Sequence, residues 1–106
     1  HDPNADDVRF FINDVGRKTW ERILDGKMGA NYGYPFREGP CEATEEKNCQ
    51  PDPKYADPIH WYRHDEEDGG AVTGAAFYPN DAGWPEAFVG SFLHAEYASG
   101  GIFFIK

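Results

Sequence analysis

Thirteen residues limit what this chain can fold into more than any others: Gly29-Ala-Asn-Tyr-Gly-Tyr-Pro-Phe-Arg-Glu-Gly-Pro-Cys41. Gly29, Gly33, Pro35, Gly39 and Pro40 interrupt every 3.6-residue stripe across the run. Proline removes a helical amide, and glycine costs about 1 kcal/mol inside a helix. The segment therefore reads as a shaped loop carrying Tyr32, Tyr34 and Phe36, of the kind that serves a site or plugs a core. The rest of the chain agrees. Aromatic residues make up 16% of it, among 12 glycines and 8 prolines. Bulky rings suit sheets better than helices, and frequent breakers keep elements short. The expected fold class is all-β, made of antiparallel hairpins with long loops. Its 106 residues are enough for one small domain.

The hairpins can be placed. Residues 8–12 read as a strand, 13–16 as a turn and 19–24 as a second strand pairing with the first. Glu21, Arg22 and Leu24 also make a short helix a competing reading there. Residues 50–58 are too rich in proline for regular structure. Residues 59–63 form a strand, 64–70 an acidic turn, and 71–78 a strand of small residues that something approaches closely. Residues 88–97 and 101–105 pair around 98–100. The chain thus divides into two hairpin-rich halves, 8–63 with a long loop insert and 70–106. Each is about the size of one propeller blade, the second incomplete.

Charge narrows the partners. A formal net charge of -9 argues against nucleic acid and against an anionic membrane surface, since both need a basic patch. No run approaches the ~20 apolar residues of a membrane span. The acidity suits solubility in an extracellular or periplasmic fluid, with a specific cation site as the other reading. Cys41 and Cys49 enclose a polar loop that cannot bury itself, so a disulfide is expected at its base; free thiols or a metal pair are the alternatives. A bridge implies an oxidising compartment, secreted or periplasmic. The start at His1-Asp-Pro-Asn and a strand-like end suggest a piece of something longer.

The order of these segments resembles the glucose/sorbosone dehydrogenase family of soluble sugar dehydrogenases. The resemblance rests on Arg9-Phe-Phe-Ile-Asn-Asp-Val-Gly16, Thr19-Trp-Glu21 and a Gly-x-Asn-Tyr-Gly-Trp-Pro-x-x-Glu-Gly motif matched from Gly29, with Tyr34 in place of tryptophan. It continues through Asp57-Pro-Ile-His-Trp-Tyr62, Val72-Thr-Gly-Ala-Ala-Phe-Tyr78, Trp84-Pro-Glu-Ala-Phe-Val-Gly90 and Phe92-Leu-His-Ala-Glu-Tyr97. It implies about two blades of a six-bladed β-propeller, from an enzyme that uses pyrroloquinoline quinone (PQQ) and calcium to oxidise an aldose at C1. Its general base and the arginine-asparagine pair gripping the quinone lie in other blades, so an isolated piece is expected to be inactive. The implied calcium ligands are main-chain oxygens around Gly16 and Arg17, with Asp14 beside them. The implied cofactor contacts are Gly16, Arg17, Tyr32, Tyr34 and Thr73. The family's quinone-binding lysine falls near Ala98, where this chain has none. Implied partners are the sugar and the remaining blades, from the same parent or another chain. Hedgehog-interacting-type propellers resemble the same family without catalysis, so a secreted protein- or carbohydrate-binding module is the alternative.

Several residues carry a second reading. Asn31, Tyr32, Tyr34 and Glu38 line a central pocket, or the tyrosines pack between blades while Glu38 caps loop amides. Arg37 and Glu38 read as a surface ion pair of small value. Asp14 and Glu21 hold a cation near Gly16, or orient turn amides. His60 and His64, with the acidic run 65–68, form a calcium or metal site, or a solvated turn. Strand alternation sets His60 and Tyr62 opposite Trp61. No serine nucleophile elbow or phosphate loop is present.

Overall fold

A computed structural model describes residues 1–47, 49–66 and 69–106. The chain is all-β and antiparallel. Strands β1 (Phe11–Asp14), β2 (Trp20–Asp25) and β5 (His60–Arg63) form one sheet in the order β1-β2-β5. Strands β6 (Val72–Phe77), β7 (Phe92–Glu96) and β8 (Ile102–Ile105) form a second, in sequence order. Between them, β3 (Arg37–Glu38) and β4 (Cys41–Glu42) make a two-stranded ribbon.

The expected hairpins form, with shifted ends. β1 begins at Phe11 and runs through Asn13 and Asp14, which the sequence assigned to a turn. Both side chains reward extension: Asp14 lies opposite Arg22, and Asn13 Nδ2 donates to the Thr73 carbonyl. The competing helix at residues 19–24 does not form. β2 is a central strand, buried along nearly its whole length and paired on both edges. The strand expected from residue 88 starts at Phe92 instead. A 3-10 turn at Glu86–Phe88 and a left-handed Gly90 (φ 76°) come first. The ribbon β3–β4 was not expected, because a two-residue strand has no readable alternation.

The sheets meet through alternate residues. Phe11, Phe77 and Phe92 pack with ring centroids 4.7–4.9 Å apart around Ile23, flanked by Ile105. Edge-on pairs at this spacing add about 1 kcal/mol beyond burial. The inner face of β7 continues as His94 and Glu96, so the core turns polar at its far end. Tyr62, inward on β5 as alternation requires, donates its hydroxyl to Glu96 Oε2 at 2.6 Å, while Trp61 faces out. Glu96 also accepts the amides of Gly70, Ala71 and Ala98 on Oε1. Burial opposes its charge, but these four bonds prevail and lower its pKa to about 2. His94 lies beside it with its pKa lowered to about 4, by burial first and then by the charge of His60.

Among the described residues, the expected close approach to the small residues of β6 is confined to Asn13, whose side chain donates to the Thr73 carbonyl. Residues 73–76 are exposed, and a Cβ on Gly74 would meet nothing. Outer strands β1, β5, β6 and β8 pair on one edge only among the described residues.

Candidate functional site

The turn between β1 and β2 is built from main chain and held from behind by two carboxylates. Glu21, fully buried on β2, accepts the Gly16 amide on Oε1 at 3.1 Å, with His64 Nε2 2.7 Å from the same oxygen. Its Oε2 accepts the Val72 amide at 2.7 Å, tying the turn to the second sheet. Burial dominates and raises the Glu21 pKa, against the three hydrogen bonds that lower it. Glu38, from β3, receives the amides of Lys18, Thr19 and Trp20 on Oε1 at 2.7–3.1 Å. Burial opposes this charge too, but the amides outweigh it and the Glu38 pKa is lowered. Successive amides converging on one oxygen form an anion nest, with the protein's own carboxylate inside.

Two glycines let the walls close. Gly39, at φ 55°, sits against Trp20, whose Cβ lies 2.5 Å from where a side chain would begin. At Gly16 an added Cβ would fall 1.6 Å from the Trp20 carbonyl oxygen. Gly16→Ala therefore forces the turn off its carboxylates. We expect a loss of about 2 kcal/mol, read as a Tm lower by roughly 10 °C; an unchanged Tm would show that the turn is not held as described.

Over this floor opens a cleft of about 490 Å³. Asp14, Gly16, Arg17 and Lys18 line one side, with Tyr34 and Pro35 on the loop. Arg22, nearly buried, donates to Asp14 Oδ2 at 2.7 Å and to the Tyr32 carbonyl at 3.0 Å. Arg37 donates to the carbonyls of Pro40 and Gln50, fastening the loop near the Cys41–Cys49 disulfide. Arg17 and Lys18 are exposed and form no ion pair with a described residue. The Trp20 Nε1 donor is buried without a hydrogen-bond partner among the described residues. In a chain of net charge -9, the cleft gathers four cations, Arg17, Lys18, Arg22 and Arg37.

Of the residues singled out from sequence for a site, Asp14, Gly16, Arg17, Tyr34 and Glu38 line this cleft. Tyr32 stands behind it, its hydroxyl donating to the Asp25 carbonyl at 2.6 Å. Thr73 lies apart on the exposed face of β6. Asn31 accepts the Gly33 amide within its own loop. Glu38 caps turn amides, and Glu21 orients the Gly16 amide while Asp14 holds Arg22. The expected Arg37–Glu38 surface pair is absent: both residues are buried, and the strand sends their side chains to different partners. His60 and His64 also part: His64 meets Glu21, and the His60 ring lies 5.5 Å from that of His94. Of the acidic run in that expected calcium site, Asp65 pairs with Arg63 and Glu66 accepts the Arg63 amide, while Glu67 and Asp68 lie outside the described residues. Among the described residues no three His, Cys, Asp or Glu side chains gather as a metal would need.

Sequence reasoning missed Lys18, Trp20, Arg22 and Arg37 as parts of the cleft. One signal was available: Glu21 and Arg22 sit inside an otherwise apolar strand, and charges buried there must be partnered. No helix is long and apolar enough to cross a membrane, among the described residues. Comparison with family models, with curated proteins and with solved structures finds no match.

Proposed function

We propose that this chain is part of a quinone-dependent sugar dehydrogenase that oxidises an aldose at C1, its two three-stranded sheets being successive blades of a six-bladed propeller. The observation that carries the reading is the convergence of Asp14, Gly16, Arg17 and Tyr34 on one cleft. The family resemblance named these four from motif order, and the fold brings them together across the long loop.

The cleft's chemistry suits PQQ, a planar tricarboxylate. Arg17 and Lys18 supply cations with no competing ion pair among the described residues, and Tyr34 an exposed ring. Calcium is served less directly. Glu38 is occupied by amides and Asp14 by Arg22, so its ligands would be main-chain oxygens of Gly16 and Arg17 with the second oxygen of Asp14. Bound PQQ supplies the hydride acceptor for sugar C1. This chain's part is to seat and orient the quinone, while the base that takes the hydroxyl proton belongs to the remaining blades. Those blades, from the same parent or another chain, would also cover the open strand edges and residues 73–76. The disulfide and acidity suit a secreted or periplasmic home.

The test is dye reduction by the complete assembly with PQQ, calcium and a panel of aldoses, beside direct titration of PQQ. Turnover is expected, with Arg17→Gln weakening PQQ at least tenfold. Sugar binding without turnover would favour the non-catalytic module, and neither binding nor turnover would end the dehydrogenase reading.

A further inference from the structure

His94 is the one histidine among the described residues with both ring nitrogens buried and without a hydrogen-bond partner there. It is 1% exposed. It sits on β7, the central strand of the second sheet, and its ring fills the seam between the sheets. Tyr62 of β5 stacks on one side at 6.0 Å between centroids, and Phe103 of β8 stacks at 5.7 Å. The His60 ring, also from β5, stands 5.5 Å away. The strands paired with β7 set Ala75 and Phe103 opposite His94, and neither is ionisable. The groups that bear on its charge are therefore His60 and Tyr62 from the facing sheet and Glu96 from its own strand. Glu96 attracts a proton to the ring, but its oxygens are taken by the Tyr62 hydroxyl and three amides. Burial first, then the charge of His60, outweigh that attraction and hold the His94 pKa down at about 4.

Neutral, such a ring packs as an aromatic. Protonated, it carries two N–H donors and a charge, and a buried charge without acceptors is far costlier than a buried neutral group. We propose that His94 is an acid-released latch between the two sheets: neutral, it seals the seam, and protonated, it must leave for water and part β7 from β5. The unfolded ring takes its proton near the ordinary 6.5. Between 6.5 and about 4 the unfolded state thus binds more protons, so stability rises with pH. It is lost as pH falls from 6.5 through the folded value. The carboxylates act lower. Glu38 contributes only below its ordinary 4.5, and the lowered pKa of Glu96, about 2, keeps its clamp charged while the latch releases. The latch is separate from the cleft of residues 14–18 and independent of the quinone reading.

The test unfolds the complete protein with urea at steps from neutral pH down to about pH 4. Over that range the folded-to-unfolded ratio should fall on the order of a hundredfold more in the parent than in His94→Phe, which suits the ring stack. At the acid end the parent should bind a hydrophobic dye and His94→Phe should not. In the folded parent, the His94 ring should keep the chemical shift of a neutral imidazole down to about pH 5. That measurement needs no variant, so it decides the matter even should His94→Phe fail to fold. Equal losses in parent and variant, or a His94 ring that titrates at the ordinary value in the folded protein, overturn the proposal.

Discussion

Glu96→Ala should destabilise the fold by roughly 4 kcal/mol, the largest effect expected of any single truncation here. The carboxylate receives the Tyr62 hydroxyl at 2.6 Å and the amides of Gly70, Ala71 and Ala98 at 2.9–3.1 Å. Hydrogen bonds to a charged group contribute about 1.5–3 kcal/mol each. Their full sum is not expected, because water can reach the turn amides once the side chain is gone. The Tyr62 hydroxyl stays buried on the facing sheet, so its bond is lost outright. Gly69 packs so closely that an added Cβ would lie 2.8 Å from Glu96 Oε2, which leaves no slack for a replacement partner. Urea titration measures the loss. Glu96→Gln keeps one acceptor oxygen and should lose about half as much. A cost below 1 kcal/mol for Glu96→Ala would mean that this carboxylate does not join the sheets.

The second large effect belongs to Glu38. Glu38→Ala should cost roughly 3 kcal/mol and release the turn of residues 15–19, because three amides lose their shared acceptor. Acid should do the same reversibly. The folded pKa of Glu38 is lowered from the ordinary 4.5, so the unfolded turn binds more protons in this range and stability rises with pH. The contribution is complete above about pH 4.5 and is lost as pH falls through the folded value. Amide protection factors for Lys18, Thr19 and Trp20, corrected for intrinsic exchange, should fall together in that range. In Glu38→Gln the pH dependence should vanish while part of the protection remains. Independent loss of the three amides would show that they do not share one clamp.

The two cases explain what the sequence could disclose. The first sheet was readable in part: residues 19–24 and 59–63 read as strands and form β2 and β5, whereas 8–12 showed mixed faces and the last two residues of β1 read as a turn. The ribbon at Arg37–Glu38 and Cys41–Glu42 is too short to show period two, and it carries Glu38 into the turn. Part of the cleft followed from motif order, which named Asp14, Gly16, Arg17 and Tyr34. Arg22 and Arg37 escaped because their importance lies in main-chain carbonyls, those of Tyr32, Pro40 and Gln50, that leave no mark on side-chain pattern. The misplaced Arg37–Glu38 pair shows the same limit. Neighbours in a strand point to opposite faces, so adjacency in sequence says nothing about pairing. His94 and Glu96 were quoted only as parts of a hairpin, since a strand that alternates inward through Phe92, His94 and Glu96 looks half-exposed on paper.

The construction of the cleft also bears on how such a chain can change over generations. Its floor is main chain, fixed by Glu21, Glu38, Gly16 and Gly39. The groups presented to solvent, Arg17, Lys18 and Tyr34, lend no side-chain hydrogen bond to a described residue. Substitutions at these three positions are therefore nearly free of folding penalty, typically within ±0.5 kcal/mol. The surface chemistry of the cleft can drift, or be engineered, at positions 17, 18 and 34 while the carboxylates behind them keep the same architecture.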